Sequence, residues 1–369
     1  MKKTNNSILI IMPELYYGGA ETQFRLLIRG LSETGFTIRV LVLQSYNKNN
    51  REDDLAFIEK MSKAVEFVKC DGIDQSNKLH IFKIAKTVGN QIKRNETNCI
   101  VLYDGLSMLA TRLISRMRVP VIVCERNSGC YSKRTIPLRK FLCFEAASAI
   151  VCNSLTAQRN YSKYGYSIKC IYNGVASEYR SDISNSVNDG TVLIPGRITP
   201  VKNQLFAIKA LLKCDCTQVH KIILAGEIDS EAYKNQIEEV ISQYKGPIQI
   251  EILGFCKEMD SLYAQSNLIL LPSISEGCPN VLLEGMAKGI LCLASDIPQN
   301  RDVINDDRFL FNLVDENDLG SKLKRLFRMS SEEIETVLNN NRKIIEWNYS
   351  TNRMVSSYDR LIKYVVNKG

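Results

Sequence analysis

Histidine, tryptophan and long apolar runs are all scarce in this chain of 369 residues. The two histidines, His80 and His220, lie far apart in the sequence, which argues against a zinc site built on imidazole ligands. No stretch approaches the roughly 18 apolar residues that a spanning helix needs. The early apolar run 7–12 ends at Pro13 and Glu14 without a small-residue cleavage site, and therefore predicts a buried strand rather than a signal peptide.

Several motifs are also missing. The twelve cysteines include no Cys-x-x-Cys pair, and some lie in apolar runs such as 121–124 and 150–152, which favours buried thiols over disulfides or metal ligands. The absence of Gly-x-Gly-x-x-Gly counts against a nicotinamide or flavin enzyme. The absence of Asp-x-Asp leaves no motif for a metal that bridges a diphosphate.

Charge is present in ordinary amount but is unevenly distributed. Residues 1–180 carry a net charge of +12 and residues 181–369 a net charge of −4, which indicates an anionic partner of the first half. Basic residues are densest in 112–140, where they are Arg112, Arg116, Arg118, Arg126, Lys133, Arg134, Arg139 and Lys140. A solvated basic face and contact with an anionic membrane surface are the two open interpretations. Nucleic acid is disfavoured because aromatic residues do not alternate with the basic ones.

Short β-branched runs alternate with helix-length amphipathic segments throughout, which predicts an α/β chain with parallel sheets and helices on both faces. Strands are predicted at 7–12, 38–43, 65–69, 99–103, 119–124, 149–152, 168–171, 191–194, 220–224, 248–252, 267–271, 290–294 and 308–311. Helices are predicted at 20–33, 79–93, 107–117, 316–327, 331–347 and 350–366, with Ser331 and Ser350 as caps.

The polar, turn-rich stretch 177–190 predicts a linker. It separates a first doubly wound domain, 1–176, from a second, 191–348. The C-terminal helix, 349–369, is then free to pack back across the first domain. A chain of this length is expected to form two domains, each able to bury its own core.

Two carboxylates, Glu276 and Glu284, bracket a segment that follows the predicted strand 267–271 and precedes a helix expected to begin near Pro279. In an open α/β sheet, ligands bind in the crevice above the carboxyl ends of the strands. The alternatives are a solvated Glu276 with a Glu284–Lys288 helical pair, or the carboxylate pair of a hydrolase.

Two further loops are suited to bind phosphate. Gly18 and Gly19 open a helix after the first strand, where they permit close backbone approach to an anion or simply form a tight turn. Arg197 and Lys202 follow the first strand of the second half; they are either solvated side chains or cations that hold a diphosphate.

The spacing of Glu276 and Glu284, with seven residues between them, resembles the E-x7-E signature of family-4 retaining glycosyltransferases. Gly277, Pro279, Asn280 and Gly289 stand in family positions. The resemblance implies the GT-B fold, in which two Rossmann-like domains face a central cleft. It also implies that Glu276 contacts the donor sugar and Glu284 the ribose hydroxyls, which counts against a hydrolase pair.

Other segments extend the resemblance. Residues 13–21 look like the family loop that touches the donor phosphates, and 195–204 resembles the motif whose Arg197 and Lys202 would hold the leaving diphosphate in place of a metal. The first helical turn, Pro279 to Val281, would direct amides at the diphosphate. Phe255 would lie near the nucleotide base, and the segment 172–175 resembles the family's hinge.

One departure concerns the first domain, where many family members carry a histidine near the fifth strand. The corresponding stretch, 123–127, contains neither histidine. Glu125 and Arg126 are therefore the acceptor-side candidates. Glu125 either accepts the proton of the acceptor hydroxyl or only pairs with Arg126.

The resemblance implies a metal-independent retaining glycosyltransferase with no cofactor and no enzyme nucleophile. Its donor would be a UDP-sugar, with UDP-N-acetylhexosamine as one candidate. Its acceptor would be a lipid-linked or cell-surface glycan in O-antigen, lipopolysaccharide or capsule assembly. The expected location is cytoplasmic, with a peripheral position on the inner membrane's cytoplasmic face as a variant. The alternatives are a GDP-mannose or UDP-glucose transferase with a soluble acceptor, or a catalytically silent sugar-nucleotide-binding subunit.

Overall fold

A computed structural model describes residues 6–12, 18–43, 60–61, 65–69, 73, 77–94, 96–103, 106–126, 138, 141–175, 190–214 and 216–368. The chain divides into two compact units, one formed by residues 1–174 with 351–369 and the other by residues 175–350. Each contains a parallel sheet with helices, which confirms the predicted fold class. Of the predicted linker 177–190, only Gly190 belongs to the described residues.

The first unit is built on a seven-stranded parallel sheet in the order β3-β2-β1-β4-β5-β6-β7. Its strands are β1 Ser7–Met12, β2 Thr37–Val42, β3 Val65–Lys69, β4 Cys99–Tyr103, β5 Val121–Glu125, β6 Ala149–Cys152 and β7 Lys169–Cys170. Its helices are α1 Gly19–Glu33, α2 His80–Arg94, α3 Leu106–Leu109, α4 Thr111–Ser115, α5 Leu155–Ser162 and the C-terminal α13 Thr351–Lys368. The central strands are apolar on both faces because helices cover both sides.

The C-terminal helix belongs to the first unit. It packs so closely on α1 that a Cβ atom added at Gly30 would lie 2.2 Å from a methyl group of Val355. The Tyr358 hydroxyl lies 3.5 Å from the Cys124 sulfur of β5. An apolar face with period 3.6 on residues 354–365 is buried by these contacts, which is why the helix returns to the first sheet.

The second unit is built on a six-stranded parallel sheet in the order β10-β9-β8-β11-β12-β13. Its strands are β8 Thr191–Pro195, β9 Lys221–Ala225, β10 Gln249–Gly254, β11 Leu268–Leu271, β12 Leu291–Ser295 and β13 Leu310–Phe311. Its helices are α6 Gln204–Lys213, α7 Glu231–Gln243, α8 Met259–Ala264, α9 Asn280–Ala287, α10 Pro298–Arg301, α11 Glu316–Leu326 and α12 Ser331–Ile344.

Some predicted helices were wrong in detail. The segment 107–117 forms two short helices with a break at Ala110, not one. The helix expected over 331–347 ends at Ile344 and continues as a π-helical turn, Ile345–Tyr349. Its cap is Ser330 and not Ser331, because Glu333 exchanges hydrogen bonds with Ser330 in a capping box.

The ten described cysteines are all free thiols, and six of them are buried, as their scattered spacing predicts. Among the helices that the structure describes, none combines the length and the apolar character needed to cross a membrane.

Candidate functional site

The second sheet changes its direction of growth at β8, which pairs with β9 on one side and β11 on the other. Such a switch point leaves a crevice above the strand ends where ligands bind in doubly wound sheets. The loops that follow β8 and β11 meet there, since the Ile274 amide donates to the Val201 carbonyl at 2.9 Å. These two loops carry Lys202 and Glu276.

Lys202 and Glu276 form an ion pair across the switch point. The Lys202 Nζ donates to the Glu276 Oε1 at 2.6 Å, and the two side chains are 21% and 9% exposed. A charge-assisted bond of this length fixes both groups. A cation beside a carboxylate suits a ligand in which a phosphate adjoins a hydroxyl-rich ring, since the first is bound by cations and the second by hydrogen-bond acceptors.

Arg197 lies on the same loop as Lys202 but is directed at a different partner. Its Nη1 lies 3.2 Å from the Asp229 Oδ2, and both side chains are at least half exposed. The buried Gln204, at the start of α6, stabilises this loop: its Nε2 donates to the Arg197 carbonyl at 2.8 Å. A Cβ atom on Gly226 would lie 2.1 Å from the Gly196 carbonyl oxygen, so the loops after β8 and β9 are in close contact. The structure therefore brings Lys202, but not Arg197, to Glu276.

Glu284 lies on α9 and is held by a residue that the sequence pattern did not indicate. The Tyr263 hydroxyl of α8 donates to the Glu284 Oε2 at 2.5 Å. Burial raises the pKa of the Glu284 carboxyl above its usual range, and burial together with the carboxylate raises the pKa of Tyr263. Lys288 acts on Glu284 through its charge, as the helical spacing predicts, but its Nζ contacts Asp260 at 2.6 Å instead of the Glu284 carboxylate.

The raised pKa gives a stability prediction for Glu284→Gln. The folded state disfavours the ionised carboxyl, so wild-type protein gains stability as pH falls from neutral towards the unfolded-state pKa and loses it as pH rises through the folded-state pKa. We expect the ligand-free variant to unfold at a higher temperature than wild type at pH 7, and the difference to shrink on acidification. Thermal melts at several pH values measure this; a lower melting temperature for the variant at neutral pH would contradict it.

Helix α9 begins near Pro279, as predicted, but the proline itself lies just before the helix. The helix begins at Asn280 with Pro279 as its preceding cap residue, so the proline is not in the first helical turn. The Asn280 amide donates to the Cys278 carbonyl at 2.9 Å, and Pro279 has no N–H. Because Pro279 has no N–H and the Asn280 N–H is already bonded, the Val281 amide is the candidate of this turn for binding a diphosphate. Gly277 lies on the loop between Glu276 and Cys278 and is partly exposed.

Phe255 follows the edge strand β10, two strands away from β8. Its side chain is 42% exposed. The preceding Gly254 has φ of +69°, a left-handed conformation that turns the chain out of the strand. A nucleotide-base contact for Phe255 stays a prediction.

In the first unit, Gly18 and Gly19 lie at the corresponding switch point, after β1, whose neighbours are β2 and β4. The helix α1 begins at Gly19, and Gly18 is extended. A Cβ atom on Gly18 would lie 2.3 Å from the Glu21 Oε2, so only glycine leaves that carboxylate where it is. Residues 13–17 of the predicted phosphate loop lie outside the described residues.

Glu125 is the last residue of β5 and Arg126 follows it; both are buried, at 0% and 9% exposure. The Arg126 Nη1 donates to the Asn173 Oδ1 at 2.7 Å, and its guanidinium lies 4.1 Å from the centre of the Tyr103 ring. The Gln23 side chain exchanges two hydrogen bonds with the backbone of Gly174, at 2.7 and 2.8 Å. Arg126 therefore holds Asn173, close to where the first of the two segments of this unit ends at Gly174. This structural role is independent of any contact with an acceptor.

The predicted basic face over 112–140 was wrong in including Arg126, because the guanidinium of this residue is buried and is not part of the surface. Arg112 is partly neutralised by Glu145, at 3.2 Å, and lies over the Phe141 ring. Arg116 and Arg118 are exposed. The remaining members of the predicted face, Lys133, Arg134, Arg139 and Lys140, lie outside the described residues.

Arg126→Ala is expected to lower the free energy of unfolding by about 2–4 kcal/mol, since it removes both the packing on the Tyr103 ring and a buried hydrogen bond to Asn173. Denaturant unfolding of the ligand-free protein measures the effect. Arg118→Ala, at an exposed position, is the control and should change stability by less than about 0.5 kcal/mol. Equal stability of the two variants would contradict the structural role of Arg126.

Within the described part of the chain, no group of three or more His, Cys, Asp or Glu side chains is placed to hold a metal ion. Lys202 supplies a positive charge directly beside Glu276. Residues that sequence analysis missed are Tyr263 and Asp229; each acts on a candidate residue from another element, so no local spacing could have indicated it. Gln204 ends the predicted segment 195–204, but its role in holding the Arg197 carbonyl was not predicted.

Two family models match the chain in succession. One, described as Glycosyltransferase Family 4, matches residues 17–179, and the other, Glycosyl transferases group 1, matches residues 176–344. The chain is 25% identical over 183 residues to an Escherichia coli UDP-Gal:alpha-D-GlcNAc-diphosphoundecaprenol alpha-1,3-galactosyltransferase, over 47% of this chain and 45% of that protein. The match thus spans less than half of the Escherichia coli relative.

A longer match is to a Campylobacter jejuni alpha-1,4-N-acetyl-D-galactosaminyltransferase that acts on a glycan linked to PP-undecaprenol. It is 24% identical over 262 residues, 68% of this chain and 70% of that protein. Among solved structures, Anabaena HepE in complex with UDP and glucose superposes with a TM-score of 0.80 at 18% identity, over 97% of this chain and 99% of that chain. The chain belongs to the family-4 glycosyltransferases of GT-B fold.

Proposed function

We propose that the chain is a retaining glycosyltransferase that moves a sugar from a UDP-sugar to a lipid-linked glycan. The observation that carries the proposal is the Lys202–Glu276 pair at the switch point of the second sheet. Its cation and carboxylate match adjoining parts of a sugar nucleotide. The Escherichia coli and Campylobacter jejuni relatives support a diphosphoundecaprenol-linked acceptor, and the Escherichia coli relative and the HepE complex support a uridine donor.

In the proposed reaction, the anomeric carbon of the donor forms a bond to an acceptor hydroxyl oxygen while its bond to the β-phosphate oxygen breaks. The proton of the hydroxyl passes to the departing phosphate, so UDP leaves and no enzyme nucleophile is needed. Negative charge grows on the diphosphate, and Lys202, aided by Arg197, stabilises it. Glu276 orients the sugar ring, and Glu284, positioned by Tyr263, binds the ribose hydroxyls.

This proposal assigns the charge stabilisation to side chains and to no metal. The Lys202 side chain is only 21% exposed beside Glu276. The effective dielectric constant there is lower than in water, so a fixed cation interacts more strongly with a negatively charged diphosphate. On the acceptor side, Glu125 and Arg126 stay the candidates. The donor-side set further includes Gly18, Gly19, Phe255, Gly277, Pro279, Asn280 and Val281.

A lipid-linked acceptor places the reaction at a membrane surface, and we propose peripheral binding at the cytoplasmic face, in lipopolysaccharide, O-antigen or capsule assembly. The exposed Arg116 and Arg118 support an anionic surface as partner. Arg126 is excluded from that contact by its burial.

A thermal-shift comparison of UDP, GDP, ADP and CMP tests the donor. A nucleotide at a hundredfold excess over its Kd stabilises the folded state by about 2.7 kcal/mol. We expect UDP to raise the melting temperature most, and Glu284→Ala to lose most of this shift. A larger rise in melting temperature with GDP than with UDP would indicate a guanosine-based donor instead of a uridine-based one. No shift with any nucleotide would contradict the proposed site.

A further inference from the structure

The exposed side of helix α2 carries two large apolar side chains beside a series of cations. Leu79, in the turn before the helix, is 71% exposed, and Phe82 is 59% exposed. Lys83 and Lys86 are exposed on the same side, and the sequence from His80 to Arg94 contains no Asp or Glu. Single exposed apolar residues are common, but this pairing of exposed apolar groups with acid-free positive charge is typical of interfacial helices.

These residues form one stripe, because positions 79, 82, 83 and 86 are spaced three and four apart along the chain. We call Leu79, Phe82, Lys83 and Lys86 the α2 stripe. The opposite face of the helix is buried in the first unit through Ile84, Ala85, Val88 and Gln91. The helix is also held at its end, where the buried Arg39 donates to the Gln91 carbonyl at 3.0 Å. The stripe therefore stays directed away from the core.

The exposed Arg116 and Arg118 lie on a segment that packs against α2. A Cβ atom on Gly89 of α2 would lie 3.2 Å from the Met117 methyl carbon, so α2 packs against this segment. Met117 lies between Arg116 and Arg118, which are both exposed. The positive charge thus extends from α2 onto the neighbouring segment.

Another exposed apolar side chain, Phe141, lies beside the neighbouring helix α4. Phe141 is 54% exposed, and the Arg112 guanidinium of α4 lies 3.9 Å from the centre of its ring. Phe144, three residues after Phe141, belongs to the same apolar cluster as Val88 of α2. Phe141 therefore lies at the edge of the layer of helices that contains α2.

We propose that the α2 stripe inserts Leu79 and Phe82 into the interface of an anionic bilayer while Lys83, Lys86 and the adjoining arginines contact the headgroups. The inference deepens the proposed membrane contact and rests on it. It adds a hydrophobic contribution that positive charge alone does not give. A second copy of this chain is the less favourable occupant, because two such stripes would bring like charges together.

Co-sedimentation of the full chain with vesicles tests the proposal. Wild type should bind phosphatidylcholine–phosphatidylglycerol vesicles and bind pure phosphatidylcholine weakly. Leu79→Ser with Phe82→Ser should weaken binding to the mixed vesicles by about tenfold or more. Tenfold corresponds to about 1.4 kcal/mol, which is no more than the burial of one large apolar side chain contributes. Val314→Ser, at a position 88% exposed in the second unit, is the matched apolar control and should bind as wild type.

A fluorescence reporter distinguishes insertion from surface adhesion. The chain has one tryptophan, Trp347, so Trp347→Phe combined with Phe82→Trp leaves a single indole fluorophore in the stripe. Its emission should shift to shorter wavelength with mixed vesicles and be quenched by brominated lipid. As the control, Trp347→Phe combined with Val314→Trp, with Phe82 retained, should show neither the emission shift nor the quenching.

Three results would overturn the proposal. One is unchanged binding of the Leu79→Ser, Phe82→Ser variant. Another is an unshifted emission from the Phe82→Trp reporter despite vesicle binding, which would leave electrostatic adhesion only. The third is a wild-type dimer that the double substitution dissociates without any vesicle binding, which would make the stripe an interface between copies. The UDP-induced thermal shift, measured on each variant, reports the donor site separately, so loss of the membrane contact and failure of the proposed transferase function are distinguishable.

Discussion

Lys202→Ala is expected to lower kcat of sugar transfer by about 100- to 1,000-fold, the loss observed when one fixed donor to a developing negative charge is removed. Lys202 is the cation that the structure holds at the switch point, 2.6 Å from Glu276. Its ammonium interacts more strongly with the diphosphate as the glycosidic bond breaks, so the loss should appear mainly in kcat. Steady-state kinetics with a UDP-sugar and a lipid-linked acceptor measure it.

Lys213→Ala is a suitable control for the loss of a lysine. Lys213 pairs with Glu316 at 3.5 Å on the surface of the second unit and lies on the same helix that follows the Lys202 loop. Its removal should leave kcat within about twofold, because Lys213 lies at the end of α6 that is distant from the Lys202 loop. Loss of the exposed ion pair should change folding stability by only roughly 0–1 kcal/mol. A Lys202→Ala enzyme with the kcat of the control would show that the diphosphate is stabilised elsewhere, and Arg197 would be the next residue to replace.

Glu276→Ala is expected to reduce kcat/KM for the UDP-sugar by about 100-fold or more while leaving the affinity for UDP itself within a few fold. The proposed role of Glu276 is contact with the sugar ring, which UDP lacks, so the two ligands separate sugar binding from nucleotide binding. Loss of a charged hydrogen bond at a site only 9% exposed costs about 1.5–3 kcal/mol in binding, and transition-state positioning adds to it. Kinetics and UDP titration of the same preparation measure both quantities.

Glu284→Ala provides the complementary control, because its expected defect lies in UDP affinity. A Glu276→Ala enzyme that loses UDP affinity as strongly as Glu284→Ala would contradict separate sugar and ribose roles. A double variant, Lys202→Ala with Glu276→Ala, then measures the coupling in their hydrogen bond. Residues in contact couple by about 0.5–3 kcal/mol, so the two single losses should not add.

The sequence patterns predicted the layered α/β fold well, because strands such as 7–12 and 99–103 are short apolar runs bounded by turn formers and were placed at their observed positions. Buried parallel strands leave this signal in sequence alone. The break at Ala110 and the cap at Ser330 were missed, since they depend on packing around one residue and on a choice between adjacent serines.

The site was predictable only in part. The spacing of Glu276 and Glu284 indicated the crevice, but not the partners that hold them. Lys202 reaches Glu276 over 74 positions in sequence and Tyr263 reaches Glu284 over 21, and such contacts follow from sheet order rather than from local pattern. The basic stretch 112–140 illustrates the converse, because charge counting could not distinguish the buried Arg126 from the exposed Arg116.

The proposed sugar transfer can be tested with a panel of radiolabelled UDP-sugars and a lipid-linked glycan acceptor, using wild type and Glu276→Ala in parallel. We expect a labelled, organic-extractable product with wild type for at least one UDP-sugar, and background counts with Glu276→Ala at equal protein concentration. Equal label from both proteins, or background from both across the whole panel while UDP still binds, would contradict it.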